Sequence, residues 1–165
     1  ETLNITSGKL FISDPCYNVN PEKNELLTIC KQAKNGKWNV YNDGRKGAIA
    51  KYSEFLCNDT DTVTLTTCSV DSGQISFFDY GFYTENYDEK DDQCTNWYNE
   101  ESIYRKICNN SENQDISSLG NSVTVTNFGG DGDYDVELYF DKNNECILVH
   151  IHFYEDDEWY GDRNY

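Results

Sequence analysis

From Tyr134 to Phe153 the sequence alternates apolar and polar side chains with a period of two, a pattern that suits a strand with one face on a core. Tyr134, Val136, Leu138 and Phe140 are expected to face one way and Asp135, Glu137 and Tyr139 the other. Asp141 to Glu145 supplies a turn. In the return strand Ile147, Val149, Ile151 and Phe153 share one face, which leaves Leu148, His150 and His152 opposite. Shorter stretches repeat the signal. Leu10 and Ile12 open a strand that ends at Asp14-Pro15, because proline cannot donate to a ladder. Leu26 to Lys31 and Trp38 to Tyr41 read as a hairpin around Asn35-Gly36, and Asn42-Asp43-Gly44 turns the chain into Ala48 to Tyr52. Val63, Leu65 and Thr67 alternate with threonines, and Ile75, Phe77 and Asp79 follow the Asp71-Ser72-Gly73 turn. The fold class expected is mainly β: a single antiparallel β-sandwich or barrel-like domain, with one short helix in a central insert.

That helix is predicted over Asn96 to Cys108. Trp97, Glu100, Glu101, Tyr104 and Cys108 fall at helical spacing there, with Arg105 and Lys106 in the last turn, where the macrodipole favours cations. Its flanks, Tyr83 to Gln93 and Asn109 to Ser118, read as polar loop. The 165 residues suit one domain, taken as 1–154 with the insert at about 83–113, followed by an acidic aromatic tail at 155–165. Tyr (13), Phe (8) and Trp (3) supply enough apolar area for a core.

Charge narrows the partners. With 13 Lys and Arg against 30 Asp and Glu, the formal charge of −17 repels phosphate backbones and anionic membrane surfaces, so nucleic acid is excluded as a partner. No run of about 18 apolar residues exists, so no membrane span is expected.

Seven cysteines are many for a cytosolic chain of this length and lean towards an oxidising compartment. Cys16, Cys30, Cys57, Cys68, Cys94 and Cys108 are the disulfide candidates. Cys146, which begins an apolar run, is the candidate free thiol. The sequence starts at Glu1 and holds no Met, which fits a secreted protein trimmed of its signal peptide. Asn4, Asn58 and Asn109 lie in N-x-S/T sequons and are glycosylation candidates.

Three constellations could carry chemistry. Asp131, Asp133 and Asp135 sit two apart after Gly129-Gly130 and offer hard oxygen ligands to Ca²⁺. Val136 and Lys142 stand where an EF-hand requires Gly and Glu, and the alternation that puts Tyr134 and Val136 on the core turns these Asp side chains towards water. His150 and His152 share a strand face about 7 Å apart, so they can bind a transition metal once a third ligand joins them; two such His on an outer strand face also need no ligand. Cys16, in Asp14-Pro15-Cys16-Tyr17, is the one cysteine beside a rigid turn, and its competing roles are nucleophile and disulfide half.

Three patches together resemble a known family. Ser7-Gly8-Lys9-Leu10-Phe11-Ile12-Ser13-Asp14-Pro15, then Val70-Asp71-Ser72-Gly73-Gln74 leading to Phe78-Asp79, then Phe128-Gly129-Gly130-Asp131-Gly132-Asp133-Tyr134 with Asp141 and the return strand, resemble domain-of-unknown-function family 4241 over residues 7–153. Arg45 to Lys51 is similar to the family's intervening strand. The resemblance implies a compact β-rich domain with glycines in its turns, and it brings no activity or catalytic residues. The Cys-bearing insert from about Tyr83 to Asn113 and the acidic tail depart from the family pattern.

The function expected from these readings is a secreted, non-catalytic binding or self-assembling structural protein. Its interface candidates are Trp97, Tyr98, Trp159, Tyr160 and Tyr165, since amphipathic rings give contact area at little entropic cost. The partner is a protein or a second copy, and no cofactor is required beyond a Ca²⁺ option at the Asp trio. Two alternatives stand beside it: an acidic inhibitor or immunity-type partner of a basic protein, and a metal-dependent hydrolase using His150 and His152.

Overall fold

A computed structural model describes residues 1–17, 20, 28–86, 99–127 and 129–153. Its strands form two antiparallel sheets. The larger has the order β1 (Thr2–Ile5), β4 (Gly36–Asn42), β5 (Ala48–Tyr52), β11 (Cys146–Ile151), β10 (Gly132–Asp141), β6 (Thr60–Val70). The smaller runs β3 (Thr28–Cys30), β2 (Leu10–Ser13), β7 (Ile75–Asp79), β9 (Ser122–Val125), β8 (Ile116–Ser118). Both sheets are open at their ends, so the mainly β fold is a sandwich and not a closed barrel. Leu3, Trp38, Val40, Val136, Val149 and Ile151 of the larger sheet meet Leu10, Ile12, Ile75, Phe77 and Val123 of the smaller one in a single core.

A third layer explains why the two sheets read so differently in sequence. The helices α1 (Tyr80–Asn86) and α2 (Ile103–Ser111) lie over the other side of the smaller sheet, where Phe11 and Phe78 pack with Tyr83, Ile103 and Ile107. Tyr83 lies tilted against both Phe rings, with centroids 4.4 and 5.2 Å away. With both faces covered, β2, β7 and β9 are buried at every position and read as apolar runs broken only by small polar residues. In the larger sheet, by contrast, β4, β5, β10 and β11 bury mainly alternate residues and leave the others on an outer face.

The β10–β11 hairpin forms as the alternation predicts, pairing Val136 with Ile151 and Leu138 with Val149. A bulge between Tyr139 and Phe140 shifts the register, so Cys146 and Ile147 are both buried. The hairpin expected around Asn35-Gly36 does not form. β3 pairs with β2 in the smaller sheet, while β4 pairs with β1 and β5 in the larger. Asn35 instead accepts a hydrogen bond from the Gly8 backbone at 2.8 Å, and the chain between β3 and β4 crosses from one sheet to the other alongside Cys146.

The helical expectation also needs correction. Asn96 to Tyr98 lie outside the described residues; α2 starts only after Ser102, whose side chain caps it by accepting from Arg105 N, and runs on past Cys108 to Ser111. A second helix, α1, occupies Tyr83 to Asn86 where loop was expected, and β8 lies in the other loop flank. No helix among the described residues is long and apolar enough to cross a membrane.

Candidate functional site

The outer face of the larger sheet brings together the two histidines and a residue the sequence did not connect to them. His150 lies in β11 and His152 just past its end, and the register sets Glu137 of β10 directly opposite His150. Glu137 Oε2 lies 2.9 Å from His152 Nε2 and 3.8 Å from His150 Nδ1, and the imidazole centroids are 3.9 Å apart. Tyr139, two residues further along β10, donates its hydroxyl to the same oxygen. Glu137 is therefore held below the usual carboxylate range, first by the Tyr139 hydroxyl and then by His152. The Tyr139 phenol is pushed up to about 12 by giving that bond to a carboxylate and by burial.

Behind His150 the backbone closes in. Its Nε2 is 3.1 Å from the carbonyl oxygen of Lys46, in the turn that leads into β5. That approach needs Gly47, with φ at +129°, because a Cβ there would stand 1.9 Å from the Ile151 carbonyl oxygen and 3.2 Å from His150 Nε2.

Around this trio the sheet continues across its strands. Tyr41, Ile49, His150, Glu137 and Leu65 stand side by side on β4, β5, β11, β10 and β6. A second row, Lys51, Leu148, Tyr139 and Val63, runs parallel to it. Both end on β6, which among the described strands pairs only with β10.

The other expected sites are dispersed. Asp131, Asp133 and Asp135 are exposed, and Asp133 accepts a hydrogen bond from Ser69. Among the described residues only Glu137, His150 and His152 bring three metal-ligating side chains together. Asn4, Asn58 and Asn109 are all exposed. Cys94, Trp97, Tyr98, Trp159, Tyr160, Tyr165 and the tail 155–165 lie outside the described residues.

The disulfide expectation is corrected. Among the described residues no two of Cys16, Cys30, Cys57, Cys68, Cys108 and Cys146 are joined by a disulfide. Four of the six, Cys16, Cys30, Cys68 and Cys146, are buried and fill the interior as small apolar side chains do. Cys146 is not isolated. It shares a hydrogen bond with Cys30 across the two sheets, and that bond together with burial pushes its thiol up. Cys16 does not fit a nucleophile: burial and then the nearby Asp14 carboxylate push its thiol well above the usual range, away from the reactive thiolate.

Asp14 earns its burial by saturation. One oxygen accepts from Cys16 N at 2.7 Å and Ser72 Oγ at 2.6 Å; the other accepts from Asp71 N at 2.7 Å and Ser72 N at 2.6 Å. Asp79 does the same for Thr6 and Ser7, whose backbone N–H and hydroxyl groups all donate to it. Two of the three sequence patches are thus locked to one another by carboxylates that serve as turn anchors.

Comparison with family models, with curated proteins and with solved structures gives no match.

Proposed function

We propose that this chain is a non-catalytic binding protein that self-associates by adding β6 of one copy to β6 of another. The observation that carries this reading is the state of that strand. Residues 61–65 are exposed, Val63 at 48% and Leu65 at 72%, and Thr62 to Thr67 carry no charge, proline or glycine. An exposed uncharged stretch of this kind at a sheet edge is a template for another strand. Antiparallel pairing about Thr64 would set Val63 opposite Leu65 at both ends and Asp61 opposite Thr67, so apolar pairs gain contact and no carboxylate faces another.

Extracellular placement is part of the proposal: Asn4, Asn58 and Asn109 are exposed, as glycan attachment would require, while the absence of a disulfide among the described cysteines gives it no support. The resemblance to family 4241 enters as a proposal about fold ancestry and contributes no activity.

Sedimentation equilibrium over a range of concentrations, at low and high salt, tests the reading. Because each copy carries a formal charge of −17, association is expected to strengthen with salt. Val63→Lys and Leu65→Lys are each expected to weaken it by at least about tenfold, since each places a charge in the new ladder. A monomer at every concentration and salt would overturn the proposal. So would a dimer indifferent to both substitutions. The acidic-inhibitor alternative predicts the opposite salt dependence, binding to a basic protein that falls steeply as salt rises.

A further inference from the structure

We infer that Glu137, His150 and His152 form a binding site for a divalent first-row transition cation on the outer face of the larger sheet. The inference stands apart from strand pairing at β6, because its ligands come from β10, from β11 and from the residue just past β11.

The first support is distance. A tetrahedral ion bonded at roughly 2.0–2.1 Å to nitrogen and oxygen keeps its ligand atoms roughly 3.3 Å apart. The separations from Glu137 Oε2, 2.9 Å to His152 Nε2 and 3.8 Å to His150 Nδ1, bracket that spacing, and all three ligand atoms lie within 4.8 Å of one another. Entry of an ion asks for the ligand atoms to draw together by side-chain movement, on groups that are only partly buried or exposed.

The second support is the direction of a lone pair. A carbonyl oxygen can only accept, so the 3.1 Å approach of His150 Nε2 to Lys46 O requires the ring proton on Nε2. With Nε2 bonded to that carbonyl, the other ring nitrogen, Nδ1, is the one that faces the Glu137 carboxylate and is left to meet an ion. This is the arrangement that metal-ligating histidines use: the distal ring nitrogen bonded to the backbone and the proximal one left for the ion. Gly47 makes the Lys46 carbonyl's approach sterically possible, and Tyr139 orients the carboxylate.

Donor chemistry sets the class. Two imidazoles and one carboxylate favour Zn²⁺, Cu²⁺, Ni²⁺ or Co²⁺ over Ca²⁺ or Mg²⁺, and three protein ligands leave a fourth position for water or for a donor group from a docked molecule. The Asp trio, whose side chains point to water, is no part of this site.

The test uses the full chain, stripped with a chelator and titrated with Zn²⁺ in a calorimeter, with Co²⁺ as a spectroscopic probe. One Zn²⁺ per chain is expected at the site, with intense visible bands on Co²⁺ loading. His150→Ala, His152→Ala and Glu137→Gln are each expected to weaken binding by at least tenfold, and Tyr139→Phe by roughly tenfold, the scale of an outer-shell partner. Excess Mg²⁺ should occupy the scattered carboxylates without displacing Zn²⁺. Imidazole nitrogen resonances of the wild-type chain give a readout that needs no variant: Zn²⁺ should move those of both histidines together. Unmoved resonances, or equal Zn²⁺ affinity in the wild type and the His150→Ala/His152→Ala double variant, would show a plain His152–Glu137 ion pair and overturn the inference.

Discussion

Asp79 shows at the scale of one residue how a buried carboxylate is made tolerable and what that implies for pH. Burial by itself would raise its pKa, but the hydrogen bonds from Ser7 and Thr6 outweigh that effect and hold it below the ordinary carboxylate range. A carboxylate depressed in the folded state stabilises the fold above its unfolded pKa, and this contribution is lost as pH falls through the folded value. Asp79→Ala is therefore expected to cost about 1.5–3 kcal/mol at neutral pH, the scale of hydrogen bonds to a charged group. The gap from wild type should close as the medium is acidified. Urea unfolding of both proteins across the acid range checks this, and a gap that persists unchanged in acid would contradict it. Asp79 was legible in sequence as an apparent strand residue after Phe77 and as the end of the second patch, without a role. Its role as anchor depends on Thr6 and Ser7, more than 70 positions away.

At the scale of elements, alternation assigned faces where one face meets water; where both faces are covered it still located β2 and β7 but could not say which neighbours they take. Tyr134, Val136 and Leu138 could be assigned to the core because Asp135 and Glu137 between them point outward. Ile75 to Asp79 is buried at every position, so its pattern says little about which neighbours it takes. Asn35-Gly36 carried a strong local turn signal, yet β3 and β4 belong to different sheets, because strand partners are chosen by the whole core. The helix signal in the insert was real but displaced: Ser102, not a residue near Asn96, supplies the cap. Ser102→Ala should cost about 0.5–2 kcal/mol. Amide hydrogen exchange should report the loss first in the opening turn of α2; unaltered protection there would show that packing of Ile103 and Ile107 alone sets the helix start.

Over the whole molecule, a formal charge of −17 works against compaction, and the described ion pairs at Lys34, Arg105 and Lys106 offset only a little of it. Added sodium chloride is thus expected to raise the melting temperature, by about 2–4 °C for each kcal/mol of repulsion screened. A melting temperature flat or falling with salt, followed by scanning calorimetry, would contradict this. What the residues determined by themselves was the class of structure, the β10–β11 hairpin and the shared face of His150 and His152, because these follow from a period of two along contiguous chain. What only the folded arrangement decided was the division into two sheets, the burial of Cys16, Cys30, Cys68 and Cys146 and the meeting of Glu137 with both imidazoles. Those depend on which distant strands lie side by side, and no local repeat encodes that.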